Sequence, residues 1–191
     1  MPMTLRRLLS AVLLSGAVLA APRVPTAGAD ATGPGSLPMP ESLLIPGSLL
    51  MPVIGVDPAL LRDQFGDVRG LQRHEAIDIM APRGSAVVAV ADGRVAKLFT
   101  SKPGGLTVYQ FDASGQVAYY YAHLDRYADG LREGTPLRRG DAIGAVGNSG
   151  NAAGGATHLH FAVFLLGPGR EWWLGTAVNP YPLLVAPLPS R

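Results

Sequence analysis

The stretch His158-Leu-His-Phe-Ala-Val-Phe-Leu-Leu166 decides how this chain is read. It is an apolar, alternating run with aromatic residues, which is the pattern of a β-strand. Side chains alternate across a strand, so His158 and His160 share one face, with Leu159, Phe161 and Val163 on the other. A sheet that places two imidazoles on one face either stabilises a polar pair in its core or builds a site.

Outward from that strand, the signals from residue 60 onward are for short strands joined by turns. Ser85 to Ala91 is a strand, with Asp92-Gly93 as a hairpin signal and Val95 to Thr100 as its return. Leu106 to Asp112 and Gln116 to Leu124 form a second hairpin around Ala113-Ser-Gly115. Ala142 to Val146 precedes a polar, glycine-rich loop, Gly147-Asn-Ser-Gly-Asn151. Val178-Asn-Pro-Tyr-Pro182 closes the domain with prolines that cannot join a ladder. Helical signal is confined to a turn or two near Pro58 to Arg62. The fold class is mostly β, built from antiparallel hairpins.

The chain has four histidines, and each stands on or beside an expected strand. His74 precedes Asp78 by one His-x-x-x-Asp step, and Ile77 and Ile79 flank Asp78, which puts the carboxylate on the polar face. His123 ends Tyr119-Tyr-Tyr-Ala-His123, where period two groups Tyr119, Tyr121 and His123 against Tyr120 and Leu124. Two imidazoles and one carboxylate make a catalytic zinc set with an open fourth position. The two remaining histidines then suit proton transfer near neutral pH. The helical His-Glu-x-x-His arrangement is missing, so such a site would be a zinc hydrolase of another kind. Spacing alone leaves open which of His158 and His160 binds metal.

The ends bound the compartment. Arg6 and Arg7 precede the apolar run Leu8 to Ala21, and Ala27-Gly28-Ala29 offers a small-residue cleavage site. Residues 1–29 therefore read as a secretory signal peptide, with an uncleaved membrane anchor as the other reading. The chain contains no cysteine, so no disulfide holds an exported domain together. Residues 30–59 are rich in Pro, Gly, Ser and Leu and read as a linker; alternatively, their leucines pack on the domain or fill its groove. Removing residues 1–29 takes away Arg6, Arg7 and Arg23 and leaves 13 basic against 14 acidic side chains, which speaks against nucleic-acid binding. Residues 60–191 are then the functional domain.

Phe65-Gly-Asp-x-Arg69, His74-x-x-Ile-Asp78, Ala81-Pro-Arg-Gly84, Ala91-Asp-Gly93, Tyr121-Ala-His-Leu124, Gly140-Asp-x-Ile-Gly144, Gly147-Asn-x-Gly150 and His158-Leu-His-Phe161 occur in this order. Together, over about residues 61 to 184, they resemble the lysostaphin-like (LytM-type) zinc metallopeptidases, which cut peptide bonds in bacterial peptidoglycan. The resemblance implies an antiparallel β-sheet groove fold, of the duplicated hybrid motif kind, walled by loops. It implies one Zn2+ held by His74, Asp78 and His160, and catalytic roles for His123 and His158 beside the attacking water. His123 would be the general base. The implied protein is exported, periplasmic or secreted, with peptidoglycan as partner and no stable membrane insertion after signal cleavage. Ala76 stands where the family usually has Gly, and Thr157 where a residue such as Pro precedes His-Leu-His.

Around that core of expectations, Tyr119 and Tyr121 are substrate-groove residues by parity, or packing beside the sheet. Asn148 and Asn151 contact a peptide backbone, or serve their turn. Trp172 and Trp173 bind glycan if exposed and cap the sheet if buried. A second function is a non-catalytic or self-inhibited wall-binding regulator, with residues 30–59 in the groove. A third, a biotinyl- or lipoyl-type carrier suggested by Gly134 to Gly144, lacks a lysine in a tight hairpin turn, since only Lys97 and Lys102 exist.

Overall fold

A computed structural model describes residues 47–188. The expected signal peptide and residues 30–46 of the expected linker lie outside the described residues. The strands are β1 (Val68–Arg69), β2 (Gln72–Arg73), β3 (Ile77–Met80), β4 (Ala86–Val88), β5 (Gly93–Ser101), β6 (Gly105–Asp112), β7 (Val117–Tyr127), β8 (Pro136–Leu137), β9 (Ala142–Val146), β10 (His158–Leu166) and β11 (Gly175–Val178). One helix, α1 (Tyr181–Val185), follows them, and 3-10 turns lie at Pro58–Leu60 and Gly150–Ala152. β1 and β2 form a two-stranded ribbon, and the other nine strands form one sheet with all pairings antiparallel. The mostly antiparallel β class expected from the sequence is the class observed.

β10 lies one strand in from an edge of the sheet. One edge pairs with β7 and the other with β3, then β11. Its alternation has the expected consequence, because Leu159, Phe161 and Val163 are buried in the core. β7 is the longest strand and changes partners along its length. Val117 to Ala122 pair with β10, while Leu124 to Tyr127 pair with β9. The changeover falls at His123, whose φ of 61° lies in the left-handed region.

The hairpin between Asp112 and Gln116 is present, and Asp112 organises it. Its carboxylate accepts from the N–H groups of Ser114, Gln116 and Val117 and from the Ser114 hydroxyl. The hairpin expected at Asp92-Gly93 is not. β4 pairs with β9, and β5 pairs with β6 and β8. Gly93 is needed for close approach rather than for a turn: a Cβ there would lie 1.9 Å from the Phe111 carbonyl oxygen. The chain end also differs from expectation. β11 joins the sheet beside β10, and Pro182 enters α1 in its first turn, where a missing N–H costs no helical bond.

The domain begins before residue 60. Leu49 and Val53 are fully buried in the core. The Leu49 N–H donates to Leu183 O, the Leu50 N–H to Val90 O, and the Ile54 N–H to Ala86 O. Val53 bridges Val87. Residues 49–56 are therefore part of the packed domain rather than a linker, because their alternating apolar side chains complete a core that the sheet alone leaves open. Among the described residues, no helix is long and apolar enough to cross a membrane.

Candidate metal centre

β3, the loop before it and β10 bring His74, Asp78 and His160 together. β3 pairs with β10 in a register that sets Asp78 opposite His160. Ile77 and Ile79 go to the core, so Asp78 faces outward, as the alternation requires. His74 Nε2 lies 3.2 Å from Asp78 Oδ1 and 3.2 Å from His160 Nδ1, and His160 Nδ1 lies 3.0 Å from Asp78 Oδ1. A tetrahedral zinc with bonds of about 2.0–2.1 Å holds its ligands roughly 3.3 Å apart. The donor set thus fits a single divalent ion.

The surroundings prepare those atoms for a cation. The Nδ1–H of His74 donates to Gln64 O at 3.2 Å, which leaves the lone pair on Nε2. The Gln64 side-chain oxygen accepts the Asp78 N–H at 3.1 Å, so one residue orients two ligands. Arg69 donates to Asp78 Oδ2 at 2.8 Å and leaves Oδ1 for the cluster. Burial opposes ionisation of Asp78, but hydrogen bonds from His160 and Arg69 outweigh it and hold the carboxyl well below the usual carboxylate range. Burial lowers the pKa of His74, assisted by the positive charge of His160 and Arg69.

The two other histidines flank the cluster. His123 and His158 line the same groove, with ring centroids 5.1 Å apart, and the His123 ring lies 5.5 Å from that of His160. The His123 Nδ1–H donates to Ser149 O at 2.8 Å, and the His158 Nδ1–H donates to Ala156 O at 2.9 Å. Each ring is therefore anchored through Nδ1, and Nε2 is left for chemistry. His158 Nε2 lies 3.8 Å from Asp78 Oδ1. Burial lowers the pKa of His123, helped by nearby His160 and His158, which favours the neutral form that accepts a proton.

The groove has a volume of about 590 Å³. Its lining includes Arg69, Arg73, Tyr120, Asn151 and Phe164 beside the four histidines and Asp78. Tyr119 and Tyr121 are not in it. Both are 0% exposed and lie in the core on the opposite face of β7. The left-handed turn at His123 breaks the period of two, so His123 shares the groove with Tyr120 and Ala122 instead. Asn148 is also displaced from its expected role. Its side-chain oxygen accepts from Arg83, tying the loop to the segment after β3, and its amide donates to Gly155 O within the loop; Asn151 is the asparagine on the groove. Ala76 is buried without a positive φ, and the Thr157 hydroxyl donates to Ala81 O, so neither departure disturbs a ligand. Gln64 and Tyr120 carried no signal in the sequence. Gln64 acts from a loop through both its backbone carbonyl and its side-chain oxygen, and Tyr120 was hidden by the parity of its neighbours.

The model of Peptidase family M23 matches residues 72–180. The chain belongs to this family. The match spans both the ligand triad and the flanking histidines, and it agrees with the LytM-type resemblance carried by the motifs. Among relatives, the L-Ala–D-Glu endopeptidase of Bacillus subtilis (strain 168) is 32% identical over 133 residues, 65% of this chain and 39% of that protein. The DD-carboxypeptidase/endopeptidase Mpg of Neisseria meningitidis serogroup B is 39% identical over 90 residues, 46% of this chain and 19% of that protein. This M23 chain thus spans well under half the length of either relative. Among solved structures, Helicobacter pylori Csd3 superposes with a TM-score of 0.55 at 26% identity, over 72% of this chain and 33% of that one. The catalytic domain of lysostaphin from Staphylococcus simulans has the same fold, with a TM-score of 0.55 at 24% identity, over 65% of this chain and 90% of that domain.

Proposed function

We propose that this M23 chain is an exported, zinc-dependent endopeptidase that hydrolyses peptide bonds in the cross-links or stem peptides of peptidoglycan. The observation that carries the reading is the convergence of His74 Nε2, Asp78 Oδ1 and His160 Nδ1 within 3.2 Å of one another, with two further histidines beside them in an open groove. Those three atoms would hold the zinc, which would supply a Lewis acid for the peptide carbonyl and lower the pKa of water near it.

The rest of the chemistry belongs to the chain. His123, fixed by Ser149 O, presents Nε2 to take the proton of the attacking water and later passes it to the leaving amine. His158, fixed by Ala156 O, stands across the cluster and steadies charge on the carbonyl oxygen as the tetrahedral state forms. Tyr120, Asn151 and the arginine-lined wall receive a polar, extended peptide. Retention of all five site residues favours turnover over a purely regulatory role. None of residues 47–59 lines the groove, so a self-inhibitory segment would have to come from elsewhere. Export rests on the signal-like residues 1–29.

The test is digestion of purified peptidoglycan by the zinc-loaded chain, with products identified by mass. New peptide termini that vanish on chelation and return with zinc are expected. Peptidoglycan left intact under these conditions would sink the enzymatic reading in favour of the wall-binding one.

A further inference from the structure

Both tryptophans of the chain, Trp172 and Trp173, lie in the loop between β10 and β11. Trp172 packs on the sheet, with ring centroids 4.8 Å from Tyr109 and 5.3 Å from Phe99. Trp173 stands edge-on to Trp172 at 5.2 Å and is 65% exposed. The aromatic contacts continue toward the metal centre: Tyr109 meets Tyr120 at 4.6 Å, and Tyr120 meets His160 edge-on at 6.1 Å. An unbroken run of rings therefore links a metal ligand to an exposed indole.

Capping the sheet explains Trp172 and leaves Trp173 unexplained, since an exposed indole contributes little to burial. Beside the pair is a cleft of about 380 Å³, bounded by Arg94, Phe111, Gly134, Arg170, Glu171 and the tryptophans. That size falls at the small end of ligand clefts, ~300–1,000 Å³. Its lining sets indole rings beside charged side chains. Arg94 lies over the Phe111 ring at 5.1 Å, and Arg170 is held at a φ of 53°, a conformation L-residues adopt at a cost. An exposed indole beside charged side chains matches a pyranose ring, which has C–H groups on its faces and hydroxyl and acetamido groups around its edge. A lipid or apolar peptide would be served better by an aliphatic groove without arginines.

We infer that the Trp172–Trp173 shelf is a glycan subsite, stacking an N-acetylated sugar of the strand whose stem peptide occupies the groove. The inference rests on the peptidoglycan reading above. In that polymer each stem peptide is joined covalently to a sugar, so a ligand seated at His123 and His160 carries a sugar ring beyond one end of its peptide. The run of rings from His160 through Tyr120 and Tyr109 gives the direction in which that sugar is received.

The experiment uses the full chain and N-acetylchitotetraose, a saccharide with no peptide. Because the only two tryptophans are in the shelf, intrinsic fluorescence reports on it alone. A saturable fluorescence change is expected in the parent, lost in Trp173→Ala and retained in Trp173→Phe. For cleavage, Trp173→Ala should raise KM for intact peptidoglycan about tenfold, the loss of roughly one stacking contact, while leaving cleavage of a sugar-free cross-linked peptide unchanged. Absence of a saturable change in the parent overturns the inference. So does an equal loss on both substrates, which would make the shelf a structural cap, and so does a response to an apolar peptide but not to the saccharide. If the parent binds the saccharide yet cleaves neither substrate, the glycan subsite stands and the endopeptidase reading falls.

Discussion

His123, the proposed general base, sits in an unusual conformation. Its φ of 61° is held by its own N–H donating to Gly104 O at 2.9 Å and by its ring donating to Ser149 O. On the proposed division of roles, removing the imidazole removes a proton acceptor and no metal ligand. His123→Ala is therefore expected to lower turnover by about 10²–10⁴-fold while keeping its zinc, and His160→Ala to lose both; kinetics alongside metal analysis by mass spectrometry checks the division. Loss of zinc from His123→Ala would overturn it. Tyr119 provides the complementary residue. Its hydroxyl is buried, finds no hydrogen-bond partner among the described residues, and has its pKa raised by burial. Tyr119→Phe should thus leave activity unchanged and alter stability little or favourably, by up to about 1–3 kcal/mol, as read from chemical denaturation. A large loss of activity would restore Tyr119 to the groove.

At the scale of elements, the site depends on how β7 and the loop after β9 meet. The Ser149 hydroxyl donates to Leu124 O at 2.7 Å and accepts the Leu106 N–H at 3.0 Å, so one side chain joins that loop to β6 and β7. Gly105, at a φ of 65°, gives it room: a Cβ there would lie 2.2 Å from the Ser149 hydroxyl. The backbone carbonyl of the same serine fixes His123. Ser149→Ala should therefore leave two backbone groups unpaired, destabilise the fold by about 1–3 kcal/mol, and lower kcat by up to about 100-fold through misplacement of His123. Zinc content should not change. Thermal melts with metal analysis and kinetics separate these effects, and an unchanged kcat would show that the loop does not set His123. Little of this was legible beforehand. Gly147 to Asn151 read correctly as a loop, but the partner of each polar group was set by strands distant in sequence.

For the whole molecule, the residues before the sheet complete the core. Val53 pairs alongside β4 and Leu49 is buried in the same core, and burying side chains of this size stabilises by roughly 1.5–3 kcal/mol each. A chain beginning at residue 60 is thus expected to be several kcal/mol less stable than one beginning at 47, a large share of a typical total of about 5–15 kcal/mol. Denaturant midpoints of the two would decide it, and equal midpoints would return residues 47–59 to the status of a linker. By itself, the sequence determined the β class, the outward face of Asp78 and the shared face of His158 and His160, because alternation within a strand is a local property of the backbone. Only the tertiary structure decided which tyrosines meet the groove, that β4 pairs with β9, and that residues 49–56 belong to the core. Each of these depends on where one segment meets another, and a single left-handed residue at 123 inverts every parity inference drawn across it.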